Sequence, residues 1–358
     1  MKTLFTSEIK EGMVTASDTY TDKGFLVLPK DTIITKSIIN KLVNNDVLMV
    51  EIAEEISANE DVAITTIADT SAVTNTPEYK QFVENYSKTV DNFKDKMNDV
   101  VNKSSPIDVD DLVSDTVRIV ETSSSSLSIF SMLSTLKNYD DSTFNHSLNV
   151  ALICNIMGQW LKLPKEDINL LTSCGLLHDV GKLLIPEEII CKPGKLSDSE
   201  YATIKTHSKL GYELLKNKNV DQHIQYAALM HHEKCDGTGY PLGLKGHQID
   251  WCAKIVTIAD IYEAMTAKRV YRGPLSPFTV ISSFEQDGLQ KYEPKYLLLF
   301  LENVVNSYVN CKVKLSNGTE GDIVYINKVN LSKPMIKTSD NFIDLSKDSS
   351  ISIEQILE

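Results

Sequence analysis

The sequence predicts a mainly α-helical protein, with a small N-terminal α/β module ahead of the helical part and a small C-terminal β-rich appendage behind it. Three observations predict this. From about Tyr139 to Tyr308 apolar residues recur at helical spacing. Before residue 55, glycines punctuate short apolar segments. After Cys311 the apolar period shortens to two and turn residues appear.

In the N-terminal module, Gly12 and Gly24 separate apolar segments such as Phe25-Leu26-Val27-Leu28. A helix is expected near Thr35 to Leu42, with Ile38, Ile39 and Leu42 inward, and Val47 to Ile52 reads as a closing strand. Residues 56 to about 75 are polar and poor in aromatics, as a linker would be. From Pro77 to about Leu136 the pattern is helical and highly charged, with breaks near Ser104-Ser105-Pro106 and at Ser123 to Ser126. This amphipathic connector suits contact with a second copy, which makes a homodimer an expectation. At the C-terminal end Val313-Lys314-Leu315 alternates, Ser316-Asn317-Gly318 signals a turn, and Gly321 to Ile326 alternates again. The expected organisation is a module over 1–55, a linker and connector over 56–138, a helical domain over 139–308 and the appendage over 309–358.

With 358 residues, 42% of them hydrophobic and 24% charged, the chain can bury a sizeable core. A formal net charge of −13 argues against binding of long nucleic acid, which needs a basic face to neutralise phosphates. It leaves room for a small anionic substrate, because bound metal ions can reverse the local field. The six cysteines are scattered and form no C-x-x-C pair, as expected for free thiols in a reducing cytosol. No apolar run approaches the roughly 18 to 20 residues needed for a membrane span. The stretch Met1 to Lys10 lacks the apolar core of a signal peptide, so a cytoplasmic location is expected.

All seven histidines lie between residues 146 and 247. His146 shares a helical face with Val150, Ile153 and Met157, and so points inward. His178 follows Leu171 and Cys174 at helical spacing, next to Asp179, and Gly181 is expected to stop that helix. His207 sits among Ile204, Leu210 and Leu214 on a helix expected to begin at the capping pattern Ser197-Asp198-Ser199-Glu200. His231 and His232 end a helix carrying Ile224, Ala227 and Ala228. Asp260 stands on an otherwise apolar stripe between Val256 and Ala264. One inward histidine is ordinarily a hydrogen-bonded core residue. Two inward carboxylates are harder to dismiss, because a buried carboxylate must neutralise, pair or bind a metal. Five histidines and two carboxylates converging from several helices match the ligand inventory of a dinuclear site. Imidazole with carboxylate suits iron, manganese or zinc, and the lack of a cysteine pair argues against structural zinc. His223 and His247 lie in polar stretches and read as surface residues.

Several motifs in this order resemble the HD-GYP family of the HD phosphohydrolase superfamily. They are His178-Asp179-Val180-Gly181-Lys182, His207, His231-His232-Glu233, Asp236-Gly237-Thr238-Gly239-Tyr240-Pro241, and Ile258-Ala259-Asp260-Ile261-Tyr262-Glu263-Ala264-Met265-Thr266, followed by Arg269 and Arg272. The resemblance covers residues 139 to 295 closely. It implies a helical HD-type metal-dependent phosphohydrolase domain that hydrolyses cyclic di-GMP to the linear dinucleotide, and often on to GMP. By the resemblance, His146, His178, Asp179, His207, His231, His232 and Asp260 are the metal ligands, with Asp179 bridging two ions. Lys182 contacts the scissile phosphate, which makes Asp179 and Lys182 the catalytic pair. Tyr240, Arg269 and Arg272 hold the dinucleotide.

The chemistry is consistent with that assignment. Two metals about 3.5 to 4 Å apart can share a water and lower its pKa toward about 7. Lys182 then adds positive charge near the developing transition state. On a helix Arg269 and Arg272 would share a face, where planar forks clasp phosphate or stack on guanine. Gly237 and Gly239 permit a restricted loop that presents Tyr240, and Pro241 stiffens its exit. Some family members bind a third metal through a glutamate one turn before the first histidine. Here that position is Ser142, behind Asp140 and Asp141, so two divalent ions, iron or manganese, are expected. The alternatives left open are a non-catalytic cyclic-dinucleotide receptor and a phosphohydrolase acting on another nucleotide.

Overall fold

The computed structural model describes residues 76–123, 143–192, 194, 196–267, 275–348 and 350–357 throughout, with parts of 1–52 and of 129–136. The chain forms two compact units, residues 1–66 with 192–197, and residues 67–191 with 198–358.

In the first unit β1 (Lys2–Phe5) pairs antiparallel with β4 (Met49–Ile52), and β2 (Thr19–Tyr20) with β3 (Leu26–Leu28). Val27, Leu28, Ile34, Leu42, Val50 and Ile52 form its core, with Ile38 packed against it. The apolar segment at 25–28 contains β3, and the expected closing strand at 47–52 is β4. Most of the expected helix at 35–42, and the linker at 56–75, lie outside the described residues.

The second unit starts with α1 (Pro77–Asn102). The Thr76 hydroxyl accepts the Tyr79 N–H and Pro77 opens the first turn, both favourable at a helix start. Tyr79, Phe82, Tyr86, Thr89, Phe93, Met97 and Val100 recur at three- and four-residue steps and are buried. The break foreseen at 104–106 separates α1 from α2 (Val109–Glu121), which Asp108 caps by accepting the Asp111 N–H. At the centre is α3 (Thr143–Trp160), where every residue from His146 to Gly158 except Asn149 is buried. A helix enclosed on all sides has no polar stripe to display. Against it lies α4 (Lys165–Leu177). Their close approach requires Gly175, since a Cβ there would stand 2.8 Å from Ala151 Cα.

A 3-10 turn, Val180–Leu184, follows, and then α5 (Glu187–Ile190), α6 (Asp198–Lys205), α7 (His207–Asn217), α8 (Gln222–Met230) and α9 (Trp251–Thr266). Two local expectations are corrected. The helix before Gly181 already ends at Leu177, and Gly181 lies within the 3-10 turn. Its lack of a side chain serves packing: a Cβ would overlap His207 O and stand 2.5 Å from Gly211 N. The expected single helix through His207 is two helices, with α6 ending at Lys205 and α7 starting at His207.

After α10 (Pro277–Lys291) and α11 (Pro294–Asn306) comes a five-stranded antiparallel sheet of order β8-β7-β6-β5-β9. Its strands are β5 (Lys312–Leu315), β6 (Glu320–Tyr325), β7 (Met335–Lys337), β8 (Phe342–Asp344) and β9 (Ile353–Ile356). The alternation read at 313–315 and 321–326 is the β5–β6 hairpin. Val313, Leu315, Ile323, Ile336 and Ile353 belong to the same core as the helices. The fold class is therefore mainly helical with a small C-terminal antiparallel sheet. No helix among the described residues is long and apolar enough to cross a membrane.

Candidate metal centre

Four of the five inward histidines stand at or just beyond helix ends, and the reason is local hydrogen bonding. The last carbonyls of a helix have no partner within it. The Nδ1–H of His178 donates to Gly175 O at 2.7 Å, at the end of α4. His207 donates from Nδ1 to Ile204 O at 2.7 Å, which closes α6 and accounts for the break before α7. His231 donates from Nδ1 to Ala227 O at 3.0 Å, at the end of α8. A carbonyl can only accept, so each Nδ1 carries the proton. In the neutral ring each Nε2 then presents a lone pair, and Nε2 of His178, His207 and His231 lies 3.3, 3.3 and 3.6 Å from an Asp179 oxygen. The Thr257 hydroxyl of α9 donates to His231 O at 2.8 Å and ties α9 to this corner.

Two groups result. One combines Asp179, His207, His231 and His232, and the other His146, His178 and Asp260, with the ligand atoms of each group within 4.8 Å of one another. Asp179 joins them: His146 Nε2 is 3.4 Å from its Oδ2 and 3.1 Å from Asp260 Oδ1. All seven predicted ligand residues are thus brought together. Lys182 forms an ion pair with Asp179 and keeps 26% of its side chain exposed. Tyr240 stacks on His232 with ring centroids 4.6 Å apart. Arg269, Arg272, Asp140, Asp141 and Ser142 lie outside the described residues. His247 is exposed, and His223 contacts Asp250 at 2.8 Å on a side chain 41% exposed.

The donor set suits a cation. His178 Nε2 and Asp179 Oδ1 are buried without a hydrogen-bond partner. His207 Nε2 and His231 Nε2 face each other at 3.1 Å, two lone pairs that repel unless a cation accepts both. Burial pushes the His207 and His231 imidazoles below their ordinary range, and takes His232 down to about 4. Burial also works against the charge of Asp179, but the neighbouring Lys182 ammonium opposes it, and the carboxyl is held well below the usual range. Neutral imidazoles beside an ionised carboxylate are metal ligands in their binding form.

His146 differs. Burial disfavours its charged form, but Glu263 and Asp260 prevail and lift its pKa to about 10. A metal ion at His146 Nε2 must displace a proton, whereas one at His207, His231 and His232 meets rings already neutral. Lowering the pH from 7 is therefore expected to release one metal equivalent first. The equivalent on the depressed histidines should stay bound to a lower pH. Stepwise dialysis with metal analysis checks this, and joint release centred near pH 6.5 would contradict it.

Glu263 was missed as a site residue, although it lies three residues after Asp260, one turn along α9. Its Oε2 sits 2.5 Å from His146 Nδ1. Such a carboxylate–histidine pair fixes the ring and its tautomer. The second omission was Glu233. It is 2% exposed and accepts the N–H groups of Leu242, Gly243 and Leu244 at 2.6, 3.1 and 2.9 Å. This carboxylate holds the loop behind Tyr240. Gly239 is needed there, since a Cβ would overlap the Glu233 and Lys234 backbone, and Gly237 has a φ of +81°. Glu233→Ala should loosen the loop, costing about 2 kcal/mol for the charge-assisted bonds. Faster amide exchange at 242–244 with retained metal is the expected result. Lys205 Nζ lies over the rings of Tyr201 and Tyr240, at 4.9 and 5.6 Å, and puts positive charge beside the centre.

Fold and site together define an α-helical domain built around a histidine–aspartate metal centre. The sequence matches the HD domain family over residues 119–296. The chain carries an HD domain, and its relatives, RpfG among them, support its placement in the HD-GYP family. It is 32% identical over 204 residues to a cyclic di-GMP phosphodiesterase of Pseudomonas aeruginosa, covering 56% of this chain and 49% of that one. Its identity to the 3'3'-cGAMP-specific phosphodiesterase 1 of Vibrio cholerae is 44% over 134 residues, 37% of this chain and 31% of that one. To the cyclic di-GMP phosphodiesterase response regulator RpfG of Xanthomonas campestris it is 38% over 123 residues, 34% and 32% of the two chains. The chain thus spans about half the length, or less, of these relatives.

Proposed function

We propose that this protein is a metal-dependent phosphodiesterase that opens cyclic di-GMP to the linear dinucleotide. The observation that carries the reading is the pair of ligand groups meeting at Asp179. His146, His178, Asp179 and Asp260 would hold one divalent ion, and Asp179, His207, His231 and His232 the other, with iron or manganese favoured by the imidazole–carboxylate set. When bound, the ions supply a water of lowered pKa and draw charge from the phosphoryl oxygens. Lys182 Nζ, beside Asp179, holds positive charge where the scissile phosphate enters. Tyr240, seated on His232, orients a base, and Arg269 and Arg272 complete the grip on the dinucleotide. The catalytic part is residues 139–308, with 1–55, 56–138 and 309–358 as accessory segments.

A second substrate, 3'3'-cGAMP, is favoured by the 44% identity to the enzyme specific for it. The two cyclic dinucleotides differ in one base, so the metal centre serves either. The test is turnover of metal-loaded protein on cyclic di-GMP, 3'3'-cGAMP and cyclic di-AMP, read by chromatography of the linear products. Faster opening of cyclic di-GMP supports the first reading and faster opening of 3'3'-cGAMP the second. Tight binding of a cyclic dinucleotide without any opening would make the protein a receptor instead.

A further inference from the structure

Tyr86 is buried on α1, outside the 119–296 span of the family match. A tyrosine on an apolar stripe ordinarily serves packing, and its ring does contact Phe82, at 5.9 Å between centroids. Its hydroxyl does more. It donates to Asn149 Oδ1 at 2.8 Å, 63 residues along the chain. Asn149 is the one residue of 146–158 that is not fully buried, and its Nδ2 donates to Glu263 Oε1 at 3.0 Å. The other oxygen of Glu263 holds His146 Nδ1 at 2.5 Å. One line of hydrogen bonds thus runs from α1 through α3 and α9 to a ring of the metal centre. Its polarity is consistent at every link, because an amide offers one acceptor and one donor side and the carboxylate accepts twice. Burial, reinforced by the Glu263 charge, pushes the Tyr86 phenol up, so the proton stays on the donor.

We propose that Tyr86 is a positioning residue for the metal centre, acting through Asn149 and Glu263 on His146, so that the helix ahead of the HD domain sets how firmly one of the two ions is held. The proposal rests on His146 being a ligand. Movement of α1 that separates Tyr86 from Asn149 would let the amide turn and free the Glu263 carboxylate from its set orientation. The ligand group of His207, His231 and His232 has no link in this line and should not respond.

The test uses the full-length protein loaded with Co(II), whose absorption bands report coordination, and follows release of the ions to a chelator. Tyr86→Phe keeps the ring and removes the hydroxyl, with its short bond to Asn149 Oδ1 and its longer contact, at 3.3 Å, to Asn145 O. It should speed release of one Co(II) equivalent about fivefold, leave the other unchanged and shift the bands of one site. Asn149→Leu should act on the same equivalent, and the double variant should be no faster than Asn149→Leu alone, because both changes cut one line. Glu263→Gln should give about 10- to 100-fold faster release of that equivalent. Wild-type release in Tyr86→Phe and Asn149→Leu overturns the relay, as does equal acceleration of both equivalents with a lowered melting temperature. His146→Ala separates the two levels: loss of the same equivalent supports the ligand assignment, and retention of both ions overturns that assignment and the relay with it.

Discussion

Asp179→Ala is expected to abolish binding of both metal equivalents and to lower phosphodiesterase turnover by at least about 10³-fold. The effect should exceed that of any single histidine change, for a geometric reason. Asp179 Oδ2 lies near His146 and His178, at 3.4 and 3.3 Å, and Oδ1 near His207 and His231, at 3.3 and 3.6 Å. Removal of the carboxylate takes a ligand from each group and leaves neutral rings facing one another around buried space. It also removes the ion pair with Lys182. A change at His207 should instead cost mainly one equivalent. Metal analysis of the purified variant measures the outcome directly, and two retained ions would contradict the bridging role.

Gly181→Ala should be the most damaging change that touches no ligand. A Cβ at this position would overlap His207 O, and it would stand 2.5 Å from Gly211 N. Both obstacles are backbone atoms, so no rotamer change relieves the overlap. The 3-10 turn after Asp179 and the first turn of α7 must move apart, and these segments carry Asp179, Lys182 and His207. A cost of about 3 kcal/mol is expected for such overpacking, a fall in melting temperature on the order of 10 °C. Metal should be lost together with stability. A thermal melt with metal analysis checks both, and an unchanged melting temperature would show that the two segments separate freely.

Much of the centre was legible in the sequence because its ligands lie on helices, where apolar neighbours three and four residues away report which way a side chain points. That logic brought out His146 on α3 and Asp260 on α9. It failed where helices end. The break between Lys205 and His207 arises because the His207 ring caps Ile204 O, and the period of apolar residues carries no trace of that bond. Gly181 read as a helix stop, yet its demand comes from a chain segment 26 residues further on. Glu263 could have been found, since a third inward acid one turn after Asp260 raises the same question of partnership. Glu233 and Tyr86 could not. The partners of Glu233 are backbone N–H groups of a loop, and Tyr86 on an apolar stripe looks like any core tyrosine until Asn149 is placed beside its hydroxyl.

The C-terminal sheet shows the same division. Alternation and the turn at 316–318 located β5 and β6, while the pairing of β5 with β9 joins segments about 40 residues apart and follows from the fold. Glu285 on α10 accepts the N–H of Leu331 at 2.5 Å and of Ser332 at 3.3 Å, and so binds the sheet's connecting segment to the helices.

The central claim is that two ions, held in two groups that share Asp179, act together on a cyclic dinucleotide. It is tested most directly by titrating metal-free protein with Mn(II) or, anaerobically, Fe(II), while measuring bound metal and opening of cyclic di-GMP and 3'3'-cGAMP in the same samples. Hydrolysis is expected to be negligible with one equivalent bound and to appear as the second binds. Full activity at one equivalent, or two equivalents bound with neither dinucleotide opened, would contradict the account.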